Sequence, residues 1–417
     1  MSATPYNIGI DARCLEGNRT GTGRYLFNLL RHFGKSADFS FHLYFKHEIP
    51  TDAYFQEYAY KLQRLESPLG FESNVYFTHV QLPTALKRDG VNILFAPAYI
   101  APWNSPVPTV VALHDISYSS HPEWTTIQDQ ILLGAVSKHA AKKAAHSITI
   151  SQFSKKEIMR LYSTAENRIT VTPLAPDMEL AHDIPEAEKI TTLEKLGVGS
   201  NFIFSVGNLI NRRYPVETLE AFYAVAKKIP TLQLVLMGAD RTRPPLGIAQ
   251  HIERINKALG RPAVRPPGRD SLQAVVHLAH ISDTELAVLY RASRALVWLS
   301  SYEGFGLPPL EAMAVGTPVI TSNTSSLPEV VGDAAIKIGE PAGATSSTGG
   351  ISAGAGPSVG SIADAIHRVL TDETLRSWLI AKGKARAQQF SWVSTAEQTL
   401  EVFRKIMDTR AEVEDKK

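Results

Sequence analysis

Cysteine is almost absent: Cys14 is the single one in 417 residues. That excludes an internal disulfide and fits a reducing compartment. Neither sign of charge dominates, with 43 Lys and Arg against 41 Asp and Glu, so the basic footprint of a nucleic-acid binder is missing and no nucleic-acid partner is expected. No apolar run approaches the length that spans a bilayer. The opening MSATPYNIGID has neither the basic nor the apolar region of a signal peptide. His277 and His280 lack the spacing and company of zinc ligands. These absences describe a cytoplasmic, soluble chain, peripheral to a membrane at most, long enough for two domains or more.

What is present centres on residues 295–332, ALVWLSSYEGFGLPPLEAMAVGTPVITSNTSSLPEVVG. Residues 295–299 have the length and apolarity of a buried strand, and a polar glycine-rich turn follows at 300–306. Pro308 and Pro309 suit the first turn of a helix, where a missing N–H costs nothing. The spacing predicts that helix over 310–315, closed by Gly316. A second strand (318–320), polar turn (323–326) and short helix (327–329) repeat the plan, and two such units in a row predict a parallel sheet. Gly304 and Gly306 let the backbone approach a ligand, and a helix start suits a phosphate or a polar sugar edge. Glu303 and Glu311 bracket the turn, and a carboxylate accepts hydrogen bonds from two neighbouring hydroxyls at once. The combination describes a nucleotide-sugar pocket.

Upstream, strands are expected at 7–10, 41–45, 93–95 and 110–113, with a glycine-rich loop at 17–23 before a helix at 24–33. That loop lacks the dinucleotide fingerprint spacing and reads equally as a structural turn. His114 and Asp115 end the 110–113 strand, where open α/β sheets bind ligands; the plainer alternative is a histidine hydrogen-bonded to its own turn by Asp115. Residues 128–146 read as a helix whose Lys138, Lys142 and Lys143 form a solvated face or a peripheral membrane contact. Ser151 is a plausible cap for a helix at 155–161, and 173–185 reads as a linker. In the second half, Arg212 and Arg213 follow a strand at 202–206 and either grip a diphosphate bidentately or lie on solvated surface. Residues 241–269 are basic and proline-rich. Residues 339–361 are small, polar and glycine-rich, a disordered insertion or a lid.

The pattern E-G-F-G-L-P-x-L-E-A-M-A-x-G-T-P-V resembles the donor-site signature of the GT-B retaining glycosyltransferases of family 4. D-A-R followed by T-G-x-G-R-Y, then H-D-I-S-Y-x-x-H-P-E-W, I-T-x-S-x-F-S and R-I-x-V-x-P, extend the resemblance from Ile8 to about Met407. It implies an α/β fold with two Rossmann-like domains facing each other across a cleft. The acceptor-side domain would span 1–178, with a helix at 394–417 packing back on it, and the donor domain 179–393, with a flexible insertion at 340–361. The activity implied is transfer of a sugar from a nucleoside diphosphate to a hydroxyl, with retention. Arg212, Arg213 and the N–H groups of Gly304, Phe305, Gly306 and Leu307 would take the diphosphate, Glu311 the ribose and Glu303 the sugar. Gly21, Thr22 and Gly23 would face the donor, and His280 and Ile281 would receive the base. His114, Glu303 and Arg213 form the implied catalytic set, with Asp115, Tyr99 and Trp103 towards the acceptor. No cofactor and no metal is implied.

Two positions depart from the pattern: arginine stands at 213 where the family carries lysine, and Asn208 stands where relatives carry arginine or threonine. The opening motif with H-P-E-W is similar to bacterial mannosyl- and rhamnosyl-type transferases of surface-polysaccharide assembly. This favours GDP-mannose as donor and a glycan or lipid-linked saccharide as acceptor; a peripheral membrane contact, if made, would be at the inner face. A catalytically silent nucleotide-sugar scaffold and an NAD-dependent Rossmann oxidoreductase are the competing readings.

Overall fold

Short apolar runs alternating with helices form two all-parallel sheets in the computed structural model, which describes residues 5–17, 19, 21–52, 54–58, 60–67, 72–124, 126, 130–177, 183–262, 272–339 and 356–414. The chain divides into two compact units: residues 1–174 with 391–417, and residues 175–390. The first holds β1 (Tyr6–Asp11), β2 (Phe39–Phe45), β3 (Lys61–Arg64), β4 (Ile93–Ala96), β5 (Thr109–Ala112), β6 (His146–Thr149) and β7 (Ile169–Val171). Their order in the sheet is β3-β2-β1-β4-β5-β6-β7. The second holds β8 (Phe202–Ser205), β9 (Gln233–Met237), β10 (Val275–Leu278), β11 (Leu296–Trp298), β12 (Val319–Ser322) and β13 (Ile336–Ile338), in the order β10-β9-β8-β11-β12-β13. Strands such as β4 and β5 are buried along their whole length, as parallel sheets covered on both faces require. Strand order reverses between β1 and β4 and again between β8 and β11, and ligands of open α/β sheets bind beyond the carboxyl ends at such points.

The C-terminal helix, Trp392–Glu414, belongs to the first unit. Phe403 on it is fully buried, its ring 5.5 Å from that of Phe95 and 6.1 Å from those of Phe33 and Phe39. Thr395 Oγ1 donates to the Pro173 carbonyl at 2.6 Å, and Arg404 pairs with Asp38 at 2.9 Å. No described helix is long and apolar enough to cross a membrane.

Several expectations need correction. Residues 130–135 wind as a π-helix before the α-helix Val136–Lys143, and His146 opens β6 instead of closing a helix; positions 128 and 129 lie outside the described residues. The edge strands β3 and β13 and the helices Glu186–Leu196 and Ile248–Ala258 carry no signal strong enough to have been read. Of the insertion expected at 340–361, positions 340–355 lie outside the described residues. Its last three residues are helical, because Ser358 caps Val359–Thr371 by accepting from the Ser361 N–H at 3.1 Å.

Candidate functional site

Beyond β11 the chain turns through 300–306 into a helix, α1 (Leu307–Val315), closed by Gly316. Gly306 sits at φ +115°, and a Cβ there would stand 2.7 Å from Leu327 Cδ2, so backbone conformation and space both demand glycine. No side chain caps the helix start, and Pro308 and Pro309 occupy its first turn without an N–H to offer. The donors of the turn are therefore those of Phe305, Gly306 and Leu307. The polar turn after β12 clasps it from behind. Ser326 Oγ donates to the carbonyls of Glu303 (2.8 Å) and Phe305 (2.6 Å), Ser325 Oγ accepts the Glu303 N–H (3.0 Å), and Thr324 Oγ1 donates to the Ser300 carbonyl (2.7 Å). Phe305 contributes backbone alone, since its ring is buried edge-on against Phe390 at 5.8 Å.

Glu303 and Glu311 are 9% and 5% exposed, and each meets a side chain from elsewhere in the unit. Arg213, in the 3-10 turn Asn211–Arg213 after β8, donates through Nε to Glu303 Oε1 at 3.1 Å. Tyr290, fully buried on the helix Asp283–Ala292, donates its hydroxyl to Glu311 Oε2 at 2.8 Å. The Arg212 carbonyl accepts the Ser301 N–H at 2.9 Å, tying the two loops together. Arg212, Arg213, Glu303, Gly304, Phe305, Gly306, Leu307 and Glu311 thus share one unit, at its β8/β11 reversal. A guanidinium and a helix start suit an anionic phosphate, and two fixed carboxylates suit hydroxyls. His280 is exposed and Ile281 half-buried; they precede Ser282, which forms a reciprocal capping box with Glu285. The Lys195 ammonium holds the Glu285 carboxyl down at about 2.

In the first unit, Gly21, Thr22 and Gly23 open the helix Gly21–Phe33, and a Cβ at Gly23 would strike the Cys14 carbonyl at 2.3 Å. His114 lies just past β5, 7% exposed, with its Nε2 donating to the Pro97 carbonyl at 3.0 Å. The Tyr25 ring stands edge-on to it at 4.4 Å and Tyr99 at 5.7 Å. Burial pulls its pKa down to about 4, so the imidazole is neutral at pH 7, protonated on Nε2 and an acceptor on Nδ1. Pro97, not Asp115, orients it; Asp115 Oδ1 instead accepts the Ser117 N–H at 2.5 Å. Trp103 is 55% exposed, its ring tilted against that of His79 at 4.3 Å, and it is not part of the Tyr25–His114–Tyr99 group. At the β1/β4 reversal a cavity of about 570 Å³ is lined by Asp11, Arg13, Glu16 and Glu48 among others. Asp11 and Arg13 pair bidentately there, at 2.9 and 2.6 Å. Among the described residues no three His, Cys, Asp or Glu side chains gather as cation ligands would.

Tyr290, Trp298, Ser326 and Tyr25 escaped the sequence reading. Only Trp298 carries a local signal, a large aromatic ending a strand beside the glutamate turn.

The description "Glycosyl transferases group 1" matches residues 188–386, and "Glycosyltransferase Family 4" matches residues 19–180. The O-antigen chain mannosyltransferase B of Escherichia coli is 32% identical over 297 residues, covering 71% of this chain and 70% of that protein. The serotype-specific mannosyltransferase WbdA of Escherichia coli is 27% identical over 322 residues, 76% of this chain but 35% of its own length. Among solved structures, HepE of Anabaena in complex with UDP and glucose superposes with a TM-score of 0.65 at 16% identity, covering 96% of this chain and 100% of that one. WaaG, a glycosyltransferase involved in lipopolysaccharide biosynthesis, does so with the same score and identity, covering 95% and 99%. These two share the fold.

Proposed function

The chain belongs to the group 1, family 4 glycosyltransferases, with their GT-B α/β fold, and from that premise we propose that it transfers mannose from GDP-mannose to a hydroxyl of a glycan or lipid-linked acceptor, with retention, in surface-polysaccharide assembly. The observation that carries this is the pair of buried carboxylates, Glu303 and Glu311, fixed by Arg213 and Tyr290 on either side of an uncapped helix start. The choice of mannose rests on the names of the Escherichia coli relatives.

Cleavage of the bond between the sugar and its diphosphate leaves positive charge on the anomeric carbon and negative charge on the leaving group. Arg212, Arg213 and the N–H groups of Phe305 to Leu307 stabilise the departing diphosphate. Glu311 binds the ribose hydroxyls and Glu303 those of the transferred sugar. His114, neutral and with Nε2 committed to Pro97, accepts a sugar hydroxyl through Nδ1 and does not act as an acid. The acceptor enters on the first unit, towards Tyr99, Asp115 and the cavity by Asp11. The reaction takes place in the cytoplasm, at the inner face of the membrane.

The test is a thermal-shift comparison of GDP, UDP, ADP and NAD, followed by GDP release from GDP-mannose and the anomeric configuration of the product. GDP at about 100 times its dissociation constant stabilises by about 2.7 kcal/mol, several degrees in midpoint. A shift with UDP or ADP and not with GDP would overturn the GDP assignment. Binding of GDP without sugar transfer or donor hydrolysis would leave the silent scaffold.

A further inference from the structure

Arg213 stands where the family pattern carries lysine, and its surroundings are built for the flat group. The guanidinium Cζ lies 4.3 Å from the centre of the Trp298 ring, while Nε donates to Glu303 (3.1 Å) and Nη1 to the Asn208 carbonyl (3.2 Å). Among the described residues Nη2 donates no hydrogen bond, so that corner of the fork stays available to an anion. Gly207, at φ +91°, makes the stack possible: a Cβ there would stand 2.7 Å from Arg213 Nη1 and 3.4 Å from the indole. Trp298 ends β11 and is 3% exposed, and its carbonyl accepts from Thr321 Oγ1 at 2.8 Å, so the ring is carried by the backbone of a strand and not of a loop.

The indole N–H is buried without a hydrogen-bond partner among the described residues. Such a group is a standing cost, which phenylalanine would avoid. The ring is therefore not held there by a polar contact of its own. What tryptophan supplies is the largest π face for a cation. An ammonium at position 213 has no plane to stack and cannot reach a carboxylate and a carbonyl from one rigid fork.

We infer that Trp298 is a positioning residue for the leaving group: it aims Arg213 so that Nη2 meets the diphosphate while Nε keeps Glu303, and the two act as a matched pair in which arginine needs the tryptophan face. The inference rests on the proposed role of Arg213 as a diphosphate ligand.

A double-mutant cycle tests it, with Arg213→Lys, Trp298→Leu and the double variant, and Trp298→Phe as the conservative control. The readouts are kcat and KM for GDP-mannose by GDP release, GDP affinity, and the thermal midpoint. Trp298→Leu should lower kcat about tenfold with KM nearly unchanged, the signature of a contact made in the transition state, and Trp298→Phe should keep most of the rate. Arg213→Lys should cost about tenfold in the native background but less than about threefold once Trp298 is leucine, since contacting residues couple. Additive losses, or a fall in midpoint without a change in kcat, overturn the pairing. Should Trp298→Leu fail to fold, the cycle through Trp298→Met, which also lacks a π face, decides on the same criterion. Arg213→Ala indistinguishable from the native protein in both GDP affinity and rate would instead overturn the underlying role of Arg213.

Discussion

A carboxylate that is to hold two hydroxyls of a sugar must itself be held still, and here a partner far away in the chain does the holding. Tyr290→Phe removes the 2.8 Å bond to Glu311 while keeping the buried ring. It should weaken GDP binding by up to about 1.5 to 3 kcal/mol, the usual worth of a hydrogen bond to a charged group, read by calorimetry. An unchanged dissociation constant would remove Glu311 from the ribose. His114 is testable by pH. Its folded pKa of about 4 lies below the ordinary 6.5, so the unfolded chain takes up the proton more readily. The stability it contributes is complete above about pH 6.5 and drains as pH falls towards 4, by about 1.4 kcal/mol per unit. His114→Gln should flatten that slope in melts between pH 4.5 and 7. Glu303 and Glu311 could be singled out because they sit inside a long contiguous pattern, whereas Arg213, outside it, reads from the residues alone as either a diphosphate ligand or solvated surface and takes a role only from the resemblance. Tyr290 and Trp298 could not be singled out, because what they do is defined by contacts to Glu311 and Arg213, and an isolated buried aromatic looks like any other core residue.

At the scale of elements, the central strands were legible and the edges were not. β4, β5, β8 and β11 are apolar runs bounded by turns, whereas β3 is KLQR, a polar edge whose pairing with β2 makes it a strand. The polar turn 323–326 was visible as a turn, but its grip on the preceding loop was not. Ser326→Ala leaves the buried carbonyls of Glu303 and Phe305 without their 2.8 and 2.6 Å donor. That should cost about 1 to 3 kcal/mol of stability and a larger share of GDP affinity than of folding, compared by denaturant melts with and without GDP.

At the scale of the molecule, the first unit is discontinuous in sequence and the second is not. Phe403→Ala removes a fully buried ring from among Phe33, Phe39 and Phe95 and should cost about 3 to 5 kcal/mol. The loss should fall on the first unit alone, so that GDP still raises the melting of the second; calorimetry that resolves two transitions distinguishes them. The same discontinuity sets a timetable for the nascent chain. The first unit has its seven strands by residue 174, yet it waits for its last helix while residues 175–390 are made. At about 5 to 20 residues per second, the aromatic seat of Phe403 stays uncovered for roughly ten seconds or more, during which the second unit can fold first. That interval is when the apolar surface around Phe33, Phe39 and Phe95 is open to chaperones and to neighbouring copies.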